Sequence, residues 1–356
     1  MNDIEKNIKT IKNLLLLLVI VLAAYLLKLL SFLFIPLALA LFITLLLMPL
    51  LAWFQKKKLP YFVGLAIVII VGFFVLKGIG EVIQHTGKRI VEQQDVIAGQ
   101  FNAKVAPLIV QAESWLGIDF LNGENGMLQG GVEKVFSSGA LTGVTGNLMG
   151  TVGNFTSGAL MTLIFLIVLL GGVQHYQHYI NYVSGGGEEH GFSTIFKKVK
   201  NSLTTFMMVK FLISLATGVS FGLIAWIFGV DFPLFWGFMA FVINFIQAIG
   251  SVVITVTLIL FGFLQIDSMS MFWLFAVLLA AMQIIFGSIL EPIFMGRSFS
   301  INTVFVLIGL MVWGYLWGVP GLILAIPLLV LIKTILASSR DGHFIERLMG
   351  RSGFKK

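Results

Sequence analysis

Glu291 is a carboxylate in surroundings that disfavour one. It lies in QIIFGSILEPIFMGR, which runs from Gln283 to Arg297 and is almost wholly apolar, and Pro292 follows it at once. A charged side chain at the centre of a membrane-spanning helix costs about 2.5–3.5 kcal/mol on insertion. A glutamate retained there reads as a carrier of protons or cations. The alternative is an interfacial carboxylate paired with Arg297, with Pro292 ending the helix. Asn244, Gln247, Ser251 and Gln283 also place polar groups in apolar runs. They either line a path for a hydroxylated solute or bond across helices for about 0.6–2 kcal/mol each.

Two long apolar runs are broken near their middles. PLFWGFMAFVINFIQAIGSVVITVTLILFGFL carries Asn244, Gln247 and Gly250-Ser251, and the run beyond Arg297 carries Trp317-Gly318-Val319-Pro320-Gly321, with Pro327 further on. Proline removes a backbone donor and clashes with the preceding turn. In hydrocarbon, broken backbone survives only where protein or a water-filled cavity surrounds it. A half-helix N-terminus also offers N–H donors and partial positive charge to oxygen atoms. The expectation is a transport site for a small polar solute or a monovalent cation, formed where the two interrupted runs meet near the membrane midplane. Gly250, Ser251, Gly318 and Pro320 are its backbone elements, and Asn244, Gln247, Gln283 and Glu291 supply its side chains.

Other chemistries lack their residues. His85, His175, His178, His190 and His343 all fall outside the predicted spans, cysteine is absent, and no pair of aspartates shares a span. An intramembrane enzyme needs such a set, so none is expected. His175 and His178 can share a helix face, but no third ligand matches them, so neither a metal nor another cofactor is expected. A phosphate-binding G-x-x-x-x-G-K-[ST] loop is absent. Energy then comes from an ion gradient, or the flux runs downhill. The net charge of +7 resides on lysines and arginines beside apolar segments, where it orients a chain in a membrane and does not form a nucleic-acid groove.

The elements that hold these residues follow from composition. Of 356 residues, 58% are hydrophobic and 11% charged, against about 25% charged in soluble domains. Full spans are predicted over residues 14–34, 37–54, 61–79, 155–173, 207–228 and 271–290, with a reversal at Pro36. Each interrupted run is either a further span or a re-entrant hairpin. The positive-inside rule prefers hairpins, which put Arg297 inside and Asp267 outside. The fold class is therefore an all-α integral membrane protein with six full spans plus two interrupted helical hairpins, or eight spans, and an extracytoplasmic amphipathic helical segment. Its regions are a three-span segment at 1–80, the amphipathic or lid segment at 81–150, a fourth span and connector at 151–206, a transport core of two span-plus-interrupted-run units at 207–336, and a basic tail at 337–356.

These residues resemble the AI-2E transporter family, the autoinducer-2 exporters. The resemblance rests on Leu290-Glu291-Pro292, Met295-Gly296-Arg297, Trp313-Gly314, Gly318-Val319-Pro320-Gly321 and Pro327, with Asn244-Phe245-Ile246 and Ile249-Gly250 upstream. It extends along essentially the whole chain. Lys210 matches a lysine common in the family, and Gln247-Ala248 departs from the usual Pro-Tyr. The resemblance implies export of autoinducer-2 or monovalent cation/proton antiport, and a homo-oligomer, plausibly a ring of subunits. It also places the chain in the bacterial inner membrane. Lys210, Pro292, Arg297, Trp313 and Pro327 are then structural or coupling residues. A non-transporting membrane scaffold is the alternative of another class.

The lysines before residue 14 and at Lys56-Lys57-Lys58 place both termini in the cytoplasm and residues 81–150 outside. A cysteine introduced at Asn125 in this cysteine-free chain is therefore expected to react with an impermeant thiol reagent added outside whole cells. Labelling only from the cytoplasmic face reverses the topology.

Overall fold

A chain in hydrocarbon must satisfy its backbone N–H and C=O groups internally, and a helix does so within one segment. The structure, a computed structural model, describes residues 3–105, 107, 157–172, 192–246, 249–295 and 301–337, and these are overwhelmingly helical. Helix α1 spans Asp3–Leu29 and α2 spans Ser31–Lys56. Helix α3 covers Tyr61–Glu92, α4 Gln94–Lys104 and α5 Ser157–Gly172. Then come α6 at Phe192–Ile227, α7 at Pro233–Ile243, α8 at Ile249–Gln265 and α9 at Met269–Gln283. A π-helical segment, Ile284–Leu290, joins α9 to α10 at Glu291–Met295, and α11 is Thr303–Ala337.

Among the described residues, six helices are long and apolar enough to cross a membrane, but they are not the six predicted spans: α5, in the span expected at 155–173, is shorter than these, and α11, an interrupted run, is counted with them. Some boundaries differ from the sequence expectation. The chain is interrupted at Leu30, and Pro36 is buried inside α2 without ending it. Helix α3 continues past residue 79 to Glu92. The helix bearing Glu291 does not stop there but continues through Pro292 to Met295.

Two compact units emerge. One comprises Met1–Ala66, Leu160–Met208 and Met295–Lys356; the other comprises Ile67–Ala159 and Val209–Phe294. In the first, α2 packs on α11 and α1 touches both. At 35 residues α11 would be about 52 Å long if straight, but it is not straight. Gly318 sits at φ +63°, ψ −139°, and a side chain on Gly309 would collide with Leu329 twenty residues away. Residues 303–317 therefore fold back on 319–337 as a hairpin, with Pro320 near the start of the second half, where a missing N–H matters least. The tip is tight enough that a side chain at Gly321 would meet the Trp313 carbonyl oxygen.

The second unit contains a matching hairpin, α7 and α8. Its break is the turn after Ile243, while Gly250 and Ser251 belong to the second half-helix. Its two ends lie side by side. The Asp231 N–H donates to Gln265 Oε1 at 2.7 Å, and Gln265 Nε2 donates to Asp231 Oδ2 at 2.8 Å. Trp236 and Phe261 pack with ring centroids 5.1 Å apart. Helix α4 lies against α8, and Lys104 closes the base of the hairpin by donating to the Ile266 carbonyl at 2.9 Å and pairing with Asp267 at 3.1 Å.

The core of this unit joins α6, the hairpin and α9 through Phe221, Trp236, Ile254, Leu258, Phe275 and Leu279. Where α6 crosses α7, Gly218 and Gly222 face Gly237, and a β-carbon on Gly218 would stand 2.6 Å from the Gly237 carbonyl oxygen. Small residues at such a crossing permit the backbones to approach. Gly218→Val should therefore cost roughly 1–3 kcal/mol through overpacking, lowering the thermal midpoint in detergent. Gly72→Ala, with nothing within 4 Å of the added carbon, should leave the midpoint unchanged or raise it.

Candidate functional site

Helical spacing gives α6 a polar stripe inside an apolar helix. Lys210, Ser214 and Thr217 are four and three residues apart, so they share one face. All three are buried, at 2%, 0% and 1% exposure. Thr217 Oγ1 donates to the Ile213 carbonyl of its own helix at 2.9 Å. Ser214 Oγ accepts a 3.0 Å bond from Asn244 Nδ2, which ties the stripe to the turn of the first hairpin. Lys210 Nζ reaches both oxygens of Glu291, at 2.8 and 3.0 Å.

The opposing wall is the widened helix before Glu291. Pro292 has no N–H to donate into the helical ladder and its ring crowds the preceding turn. The Glu291 N–H bonds the Phe286 carbonyl, five residues back, and the segment Ile284–Leu290 is π-helical. Single π turns inside α-helices recur at functional sites. Here the π turn ends at Glu291, whose carboxylate is only 5% exposed. Among the described residues, the partner of this buried carboxylate is Lys210.

A buried ion pair is weak evidence for stability. Removing two charges from water usually costs more than their attraction returns, and a well-packed apolar pair is often as stable or more so. Ionisable groups at membrane depth are by default functional. The pair is net neutral, and the ammonium and carboxylate can together exchange partners with a solute's donors and acceptors.

Other predicted residues fall as follows. Asn244, Gly250, Ser251, Gln283, Lys210, Glu291 and Pro292 all belong to the second unit. Ser251 and Thr255 are buried, and Thr255 Oγ1 donates to the Ser251 carbonyl at 2.7 Å. A side chain at Gly250 would collide with the Ile243 carbonyl oxygen, so the hairpin tip requires glycine there. Gln283 Oε1 is buried and no donor among the described residues reaches it, a condition that costs about 1–3 kcal/mol. Gly318, Pro320, Trp313 and Pro327 belong to the first unit. Trp313 packs on Trp317 at 4.9 Å, and Trp317 Nε1 donates to the Leu27 carbonyl at 3.0 Å. Gln247 and Arg297 lie outside the described residues, as do the connector histidines and the basic tail. Ser214 and Thr217 are site residues that the sequence reading missed. Their signal was present in the four- and three-residue spacing from Lys210.

The sequence model of the family described as AI-2E family transporter matches residues 14–341. The AI-2 transport protein TqsA of Escherichia coli K12 is 26% identical, covering 88% of each chain. A candidate transport protein of the same organism, YhhT, is 26% identical over 89% of this chain and 87% of its own length. In Bacillus subtilis the candidate transport protein YrrI is 23% identical, covering 88% of this chain and 87% of its own.

Either single variant, Lys210→Met or Glu291→Leu, strands one buried charge and should cost about 3–5 kcal/mol. The double variant Lys210→Met/Glu291→Leu removes both charges and should unfold close to the wild-type temperature. Thermal denaturation in detergent across this double-mutant cycle measures the coupling. Additive losses would mean that the two side chains do not act as a pair.

Proposed function

The chain belongs to the AI-2E transporter family, and from that premise we propose that it moves a small polar solute across the membrane through the Lys210–Glu291 site. It is a multi-pass membrane transporter. The observation that carries the finer reading is the buried ion pair, 2.8 Å long and joined through α6 to the Ser214–Asn244 bond at the hairpin turn. In the closed arrangement Lys210 holds Glu291 and Asn244 holds Ser214. Displacing the hairpin turn breaks the Asn244–Ser214 bond and opens the stripe to water. Solute hydroxyls then donate to Glu291, and the Lys210 ammonium donates to solute oxygens, so the desolvation cost of each charge is offset in turn. Autoinducer-2, a small polar molecule, is the first cargo to test, since the relative TqsA is named for its transport.

The second reading is monovalent cation/proton antiport. It is favoured by the same carboxylate, which pairs with a tethered ammonium that a free cation would replace. We place both termini in the cytoplasm, the protein in the bacterial inner membrane, and the working form as a homo-oligomer. The Lys104 contacts with Ile266 and Asp267 support a first hairpin that enters from the outside, the face assigned to residues 81–150.

Purified protein in sealed vesicles, given an autoinducer-2 gradient and a pH-sensitive dye, separates these readings. Glu291→Gln keeps the side-chain shape and removes its charge, so transport should fall by about tenfold or more, the equivalent of one charge-assisted hydrogen bond. The folded double variant should be inactive. Dye response to added sodium or potassium without movement of autoinducer-2 would favour antiport. Wild-type flux and pH dependence in Glu291→Gln would make the pair structural only.

A further inference from the structure

The helix that carries Glu291 has two features on its inner face that weaken it and gain nothing from the fold. The first is the Gln283 amide, whose Oε1 is buried without a donor. An unbonded buried acceptor forfeits its water and receives nothing back. The second is Gly287, within the π-helical segment, where glycine adds conformational freedom to the unfolded chain and no packing to the folded one. The two touch: a β-carbon on Gly287 would stand 3.0 Å from Gln283 Nε2, so the amide lies beside the bare backbone. Glu291 lies four residues further along. Glu291 is buried and Gln283 and Gly287 are partly buried, as are Phe286 and Leu290, while Ile284, Ile285, Ser288 and Ile289 are exposed.

We propose that Gln283 and Glu291, on either side of Gly287, form a row of hydrogen-bond acceptors that receives hydroxyl groups of the transported solute. This rests on the transport reading given above and assigns one part of the solute to one wall. A solute lying across Gly287 approaches the helix where no side chain intervenes. One hydroxyl donates to Gln283 Oε1 and another donates to the Glu291 carboxylate as Lys210 gives up one of its two bonds there. The unbonded acceptor and the glycine then have a common cause. Binding supplies the donor that the fold withholds, and the glycine supplies the room. The row accepts hydrogen bonds only through oxygen atoms, so it selects groups with a proton to donate over ethers or esters of the same size.

Two measurements test the row, one without reference to any cargo. The chain contains no cysteine, so Gly287→Cys introduces a single thiol, and the flexible end of Gln283 can yield to it. A water-soluble methanethiosulfonate should label this thiol in membrane vesicles at least about tenfold faster than one at Ile284→Cys or Ile289→Cys, because opening of the stripe hydrates the thiol at Gly287, and only a hydrated thiol ionises readily. A thiol at Gly287 no more reactive than those two refutes a solute path there. Gln283→Leu removes the unbonded acceptor. Its thermal midpoint should equal or exceed the wild type's, while autoinducer-2 transport at low solute concentration falls by about tenfold for the lost bond. Full transport would mean that Gln283 holds at most a bound water, and a parallel loss of stability and transport would make it structural. Either result overturns the proposal. If the wild type moves no autoinducer-2, the cargo assignment falls, and the labelling and stability results still decide the acceptor row.

Discussion

The Lys210–Glu291 contact sets the terms for the elements around it. A lysine and a glutamate away from water are tolerable only if each holds the other and the remaining lone pairs and protons have somewhere to go. That requirement fixes the rotation of α6 and turns its polar stripe toward the helix ending at Met295. It also explains why Pro292 is placed where it is. The proline disturbs the ladder one residue beyond the carboxylate, and the resulting π turn sets the angle at which Glu291 leaves its helix.

The hairpins express a second constraint, that broken backbone must be enclosed. Each reverses within a few residues and then brings two apolar half-helices together. The glycines that make this possible have distinct tasks. Gly318 supplies a backbone conformation that side-chain-bearing residues rarely adopt, whereas Gly250 and Gly321 let a carbonyl oxygen approach where a β-carbon would collide. At the base of the first hairpin the need is different. The Asp231–Gln265 bonds and the Lys104 contacts hold its two ends together outside the apolar part of the chain. Near the tip, Asn244 bonds Ser214 of α6, a side-chain contact of a kind that contributes about 0.5–1.5 kcal/mol.

The stripe on α6 shows how a helix carries polar function through an apolar environment. Ser214 and Thr217 are small enough to be enclosed by neighbouring helices, and Thr217 returns its proton to its own backbone. Gly218 and Gly222 continue along the same helix as the point of closest approach to α7. Polar positions give way to close-packing ones along the helix, so it both carries the stripe and anchors the hairpin packed against it.

The membrane class, the sites of both breaks and the anomaly of a glutamate at position 291 were legible in the sequence, because each shows in the apolar runs themselves. Hydrophobic length implies spanning helices, and a proline or glycine in such a run implies a break, whatever surrounds it. Partnership was not legible. Glu291 has two basic residues within plausible reach in the sequence, Arg297 close by and Lys210 some eighty positions earlier, and only the packing of α6 against the widened helix decides for Lys210. The same holds for the form of the interrupted runs. Charge placement alone leaves a tilted span and a hairpin both open, whereas the contacts of Asp231 with Gln265 and of Gly309 with Leu329 are possible only if each run folds back. The composition of a run fixes that it enters the hydrocarbon. Its path there depends on a few buried contacts between residues distant in the chain, which no local pattern encodes.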